Sequence, residues 1–253
     1  MKYLLVLVTM FSLFTVCSCD RRSGKTLPSE IEMTLAPQED FYLLLEYEYM
    51  GAHSTEDPRL RFVTKEPLAA LYLDDVQIEV RNFRYNDVYG NTFYDYSFNL
   101  FDSEFIAGSG DTIRYHIVLE EKSIEGSLVM PNMPIHIEQT FDPMDDLNLE
   151  WSLTANPRKQ ELDVQVQSDS YSVSYYKDLP TDVREHTIAR STWQNVANIE
   201  NVSVNLRTIN YEFRHGGLIC FVCKSSYWPW DSLGMPNESD ILKRIITKNI
   251  QLP

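Results

Sequence analysis

The fold is decided by residues 112–119, TIRYHIVL, in which polar and apolar side chains alternate. Ile113 and Ile117 fall in one phase, and Arg114 and His116 fall in the other. Because successive side chains of a β-strand point to opposite faces, this period of two predicts a strand with one buried face.

The same period of two recurs along most of the chain, and helical periodicity is scarce. Further strands are predicted around residues 41–49, 76–80, 94–100, 135–137, 147–153, 162–166, 171–176 and 202–213. Turn residues lie between several of them, as in Gly108–Asp111 and Tyr89–Asn91. Only two stretches, 181–190 and 239–248, are predicted to be helical. Short strands separated by turn residues predict an all-β protein built from β-sandwiches.

Two prolines, Pro131 and Pro134, interrupt the alternation and predict a domain boundary, since neither fits inside a central strand. We expect one sandwich over residues 30–130 and a second over residues 131–253, ending in a short helix or extension. Within the second, the apolar phase changes between Leu206 and Ile209, which predicts a bulge there.

The second half is similar to a fibronectin type III domain. The resemblance covers about residues 131–230 and rests on apolar positions alone: Leu147, Leu149 and Trp151 on one strand, Tyr171, Val173 and Tyr175 on another, and Tyr211 on a third. The first half resembles an immunoglobulin-like domain without the Cys, Trp and Cys spacing of antibody domains. Together these resemblances imply two tandem immunoglobulin-like sandwiches.

The N-terminus resembles the signal peptide of bacterial lipoproteins. Lys2 precedes an apolar run over residues 3–16, which is too short to span a bilayer. Val16 and Ser18 then stand at minus three and minus one from Cys19, as in a lipobox. The resemblance implies cleavage of residues 1–18, acylation of Cys19 and a polar tether over residues 19–29. The alternative is an ordinary secretory signal cleaved near Ser18 that leaves no lipid.

Charge and location limit the partners. The chain of 253 residues has a net charge of −15 and a sequence pI near 4.7. Nucleic acids and anionic lipid headgroups attract clustered Lys and Arg, so neither is expected to bind this protein directly. The lipid on Cys19 would instead hold it at the bacterial cell envelope. We expect the outer membrane or the cell surface rather than the inner membrane.

No residue is nominated as catalytic or as a metal or cofactor ligand. The five histidines, His53, His116, His136, His186 and His215, show no spacing that would place two imidazoles on one metal. His116 and His136 are expected to face solvent, and His215 to lie in a turn. The acidic groups at Asp74–Asp75 and at Asp142, Asp145 and Asp146 are typical of solvated loops, with a Ca²⁺ site as the alternative.

Cys220 and Cys223 lie in the apolar run LICFVC. On a regular strand, residues three apart point to opposite faces, with Cα atoms about 10 Å apart, too far for a disulfide. We predict two separate buried thiols, with a bulge and a disulfide as the alternative.

The candidate ligand-binding residues are Tyr227, Trp228 and Trp230, which flank Pro229. Exposed aromatic rings stack on sugar rings and anchor protein partners; buried, the same rings would cover the end of a sandwich. Two function classes follow. The first is a non-catalytic envelope protein that binds a protein partner, as an adhesin or an accessory or structural subunit. The second is a carbohydrate-binding lipoprotein that uses this aromatic cluster.

Overall fold

A computed structural model describes residues 40–49, 58–88, 91–100, 103–137, 140–169 and 171–231. This part of the chain is all-β, as predicted. The first half contains β1 (Phe41–Tyr49), β2 (Arg59–Thr64), β3 (Leu68–Leu73), β4 (Val76–Gln77), β5 (Val80–Val88), β6 (Asn91–Phe98), β7 (Thr112–Leu119) and β8 (Ser123–Val129). The second contains β9 (Ile135–Ile137), β10 (Leu147–Ser152), β11 (Lys159–Ser168), β12 (Ser172–Leu179), β13 (Glu185–Ile188), β14 (Ile199–Arg214) and β15 (Gly217–Asp231).

The strands form one large sheet and two small ones. The large sheet has the order β12-β11-β14-β15-β1-β2-β6-β5, and the small ones have the orders β4-β3-β7-β8 and β13-β10-β9. Most neighbours are antiparallel, but β1 and β15 are parallel, with Leu45 opposite Phe221. The first strand of the described chain therefore lies beside the last.

Both small sheets pack on the same face of the large sheet, which we call the inner face. Its alternate side chains build two hydrophobic cores, one against β3 and β7 and the other against β10. Phe221 and Cys223 of β15 belong to the first core, and Tyr227 of the same strand face belongs to the second. The stacked sheets are those of a β-sandwich architecture, and β15 contributes to both cores.

The two cores divide the chain close to residues 130 and 131. The first core draws on residues 41–130 and on three residues of β15, and the second on residues 141–227. Division into two tandem domains stays a prediction, and the large sheet runs through both halves.

Two local predictions are wrong. Residues 181–190 form no helix: a turn at 181–182 leads into β13, and a short 3-10 turn follows at Arg190–Thr192. The register of β14 is continuous between Leu206 and Ile209. The apolar phase changes there because residues 206–209 are buried on both faces of the strand. The irregularity lies instead between Val202 and Val204.

Among the described residues, no helix is long and apolar enough to cross a bilayer. The predicted signal peptide, Cys19, the tether and the predicted helix at 239–248 lie outside the described residues.

Candidate binding site

The aromatic cluster at residues 227–230 continues β15 rather than forming a loop. Tyr227 pairs with Val204 of β14, and Trp230 pairs with Val202. Two residues of β15, Trp228 and Pro229, thus lie opposite one residue of β14, Ser203, which is a bulge. Pro229 lies inside it, where a residue without an N–H leaves no gap in the ladder of hydrogen bonds.

The structure does not present this cluster as one exposed surface. Tyr227 is only 4% exposed and belongs to the second core, whereas Trp228 is half-buried. The side chain of Trp230 lies outside the described part of the structure. Of the three nominated residues, Tyr227 is therefore a core residue, and its ring offers no face for a ligand to stack on.

His136 is a second correction, since it was expected to face solvent. It lies opposite Trp151 on the inner side of β9, and its ring centroid is 4.2 Å from that of Tyr227. Its Nε2 donates a hydrogen bond of 3.3 Å to the carbonyl of Ser225. The flanking side chains of Ile135 and Ile137 point outward and are exposed. The phase of β9 is thus opposite to what the apolar pattern predicts.

Burial of His136 predicts a pH-dependent stability. Burial lowers the pKa of His136 from 6.5 to about 4, although its hydrogen bond to Ser225 opposes the change. Because the folded pKa lies below the unfolded one, stability present above pH 6.5 is lost as the pH falls toward 4. The contribution is about 3 kcal/mol at most. Between pH 7 and pH 4.5, the free energy of unfolding should fall less for His136→Phe than for the wild type. Urea unfolding at the two pH values measures this difference.

The control for this prediction is His116→Phe, which removes a histidine whose side chain is 40% exposed. It should keep the pH dependence of the wild type. If the stability of His136→Phe depended on pH as that of the wild type does, His136 would not be the source of the loss at low pH.

His116 lies in a polar cluster on the small sheet of β3 and β7. Its Nε2 is 2.7 Å from the hydroxyl of Ser123 and 3.4 Å from the carboxylate of Glu125. A catalytic triad needs the acid on Nδ1 and the nucleophile on Nε2, so that the acid orients the base. Because both partners share one nitrogen here, the cluster does not have the geometry of an activated serine.

The described residues also bear on metal binding and on thiol chemistry. Among the residues that the structure describes, no group of three or more His, Cys, Asp or Glu side chains could hold a metal ion. Cys220 and Cys223 are both buried and unbridged, which confirms the prediction of separate thiols. Burial raises the pKa of Cys223 to about 12 and that of Cys220 well above its usual range. Neither is poised as a thiolate nucleophile.

An exposed aromatic surface does occur, at the edge of the large sheet that β5 and β6 form. The hairpin of β5 and β6 pairs Phe83 with Tyr96 and Tyr85 with Tyr94. The ring centroid of Phe83 lies 5.1 Å from that of Tyr96 and 6.0 Å from that of Tyr94, and Tyr85 meets Tyr94 edge-on at 5.6 Å. We call Phe83, Tyr85, Tyr94 and Tyr96 the aromatic ladder.

The ladder leads from the core to the surface. Tyr96 is buried against Phe62, and its hydroxyl accepts a hydrogen bond from the Leu68 amide at 3.0 Å. Phe83 and Tyr85, in contrast, are 50% and 59% exposed. A rigid inner end and an exposed outer end provide a large apolar contact area at a low cost in side-chain entropy. The ladder is therefore the candidate binding site.

The sequence contains a signal for this site. Alternation at Tyr94 and Tyr96 predicts β6, but the predicted strands do not include Phe83 and Tyr85. The useful pattern is a pair of aromatic residues two apart on each side of the turn at Tyr89–Asn91. Such a pattern places four rings on one face of a hairpin.

Comparison with known proteins identifies no relative: no family model matches the sequence, and no curated protein is significantly similar to it.

Proposed function

We propose that this chain is a non-catalytic binding protein of the bacterial envelope, held to the membrane by a lipid on Cys19, that binds a protein partner through the aromatic ladder. The observation that carries the proposal is the exposure of Phe83 and Tyr85 beside the buried ring of Tyr96. The signal-peptide pattern that ends in Cys19 supports the location.

We also infer that the two halves are immunoglobulin-like and fibronectin type III-like sandwiches. The position of Trp151 supports the second resemblance, since this residue is buried in the second core on an early strand of that half.

A glycan is the second candidate ligand, because aromatic faces also stack on sugar rings. The cluster of Tyr227, Trp228 and Trp230 was the predicted glycan site. Tyr227 is buried there and Trp228 is half-buried, and the side chain of Trp230 is not described. Among the described side chains, the ladder is the larger exposed aromatic surface, so a protein partner at the ladder is the function that we favour.

Photo-crosslinking in membranes of the bacterium that produces this protein tests the proposal. With benzoylphenylalanine in place of Phe83, we expect a discrete crosslinked protein of constant mass, whose yield falls at least about fivefold with Tyr85→Ala. The matched control carries the crosslinker at Tyr171, which is equally exposed but lies outside the ladder. No species specific to position 83 would refute the proposal. Loss of the species on adding soluble polysaccharide would favour the glycan instead.

A further inference from the structure

The ladder belongs to an edge strand. β5 is the last strand of the large sheet, and within the described chain it pairs only with β6. It is nine residues long and contains no proline. No described strand pairs with its outer backbone N–H and C=O groups, which are the groups that a further strand would bind.

The two faces of β5 differ in chemistry. Phe83 and Tyr85 lie on the inner face of the sheet, so Asn82 and Arg84 point to the outer face by alternation. There they line a groove together with three side chains from neighbouring strands: Arg61, Asp95 and Ser97.

The groove carries a positive charge that its own residues do not balance. The Nε and Nη2 atoms of Arg61 donate to the two carboxylate oxygens of Asp95, each at 2.9 Å, which neutralises that pair. Arg84 lies directly across the strand pair from Asp95, is exposed, and forms no ion pair with any described residue. In a chain of net charge −15, this is a local site for an acidic side chain.

We propose that β5 binds an extended segment of a partner protein as a ninth strand of the large sheet, and that this segment alternates acidic with large apolar side chains. The apolar side chains contact Phe83 and Tyr85, the acidic ones contact Arg84, and the backbone completes the ladder of hydrogen bonds. This inference rests on the proposed function and specifies its partner.

Synthetic peptides test it directly. The first probe is a fluorescein-labelled octapeptide that repeats Glu-Phe-Glu-Val. A second peptide has Lys in place of Glu, and a third has N-methyl groups on alternate backbone amides, which removes donors and blocks strand pairing. Binding to the mature chain is measured by fluorescence anisotropy.

We expect the acidic peptide to bind at least about tenfold more tightly than the basic or the N-methylated one. Arg84→Glu should weaken the acidic peptide at least about tenfold and strengthen the basic one. The matched control is Lys177→Glu on β12, which makes the same charge change on the opposite edge strand and should leave both affinities unchanged.

Three results would overturn the inference. They are equal binding of the acidic and basic peptides, equal binding of the N-methylated peptide, and equal effects of Arg84→Glu and Lys177→Glu. A dimer in sedimentation velocity that Arg84→Glu dissociates would also overturn it, by assigning β5 to a second copy of the chain. If the crosslink at position 83 forms but the peptides fail, strand addition is wrong and partner binding stands. If the crosslink also fails, the proposed function is wrong as well.

Discussion

Phe221→Ala is expected to lower the free energy of unfolding by about 3–5 kcal/mol, the range for a large aromatic side chain removed from a packed core. Phe221 is fully buried in the first core, on β15 between β14 and β1. Removing its ring leaves a cavity that neighbouring strands, fixed by hydrogen bonds on both sides, cannot close. Urea unfolding followed by far-UV circular dichroism measures the loss.

The same variant tests whether the two halves unfold together. All four tryptophans lie between residues 151 and 230, whereas Phe221 contributes to the first core. Because β15 contributes to both cores, we expect the midpoint by tryptophan fluorescence to fall together with the midpoint by circular dichroism. A fluorescence midpoint equal to that of the wild type would instead show two independently folding domains.

Phe83→Ala is the matched control for this substitution. It removes the same side chain from a site that is half exposed, so we expect a loss of about 1 kcal/mol or less. This result would also show that a binding defect in Phe83 variants does not arise from unfolding.

Arg207→Leu is expected to lower the free energy of unfolding by about 3 kcal/mol, because it leaves the buried carboxylate of Glu161 with less opposing positive charge. Arg207 and Glu161 are 6% and 3% exposed, and they form an ion pair of 3.2 Å between β14 and β11. Lys159 also forms an ion pair with Glu161, so part of the opposing positive charge is kept in this variant. Chemical denaturation at neutral pH measures the loss.

The double variant Arg207→Leu, Glu161→Leu is the decisive control. Replacing both members of a buried ion pair by apolar residues removes the desolvation cost together with the attraction, so we expect stability within about 1 kcal/mol of the wild type. A double-mutant cycle then isolates the coupling between the two side chains. Additive losses in the double variant would mean that the pair is not coupled.

Period-two alternation predicted most strands because it is a local property of each strand. β1, β7, β10 and β11 lie where the apolar positions place them. The failures occur where tertiary contacts override the pattern. At β9 the inward position is His136, since it faces Tyr227, and at residues 206–209 of β14 both faces are buried.

The candidate site was harder to predict than the strands. The sequence pointed to Tyr227 and the adjacent tryptophans because they are concentrated in a few residues, yet Tyr227 is a core side chain. The four residues of the ladder are spread over two strands, and two of them are buried or half-buried while two are exposed. Exposure of this kind depends on which strands a second sheet covers.

By itself, the sequence determined the all-β class, the position of most strands and the separation of Cys220 from Cys223. Each follows from local geometry, because alternation along a strand requires only its own residues. The tertiary structure alone decided that β1 pairs with β15, that β15 contributes to both cores and that β5 is an edge strand carrying an exposed aromatic ladder. These features depend on pairings between residues far apart in the chain, for which a strand pattern specifies no partner.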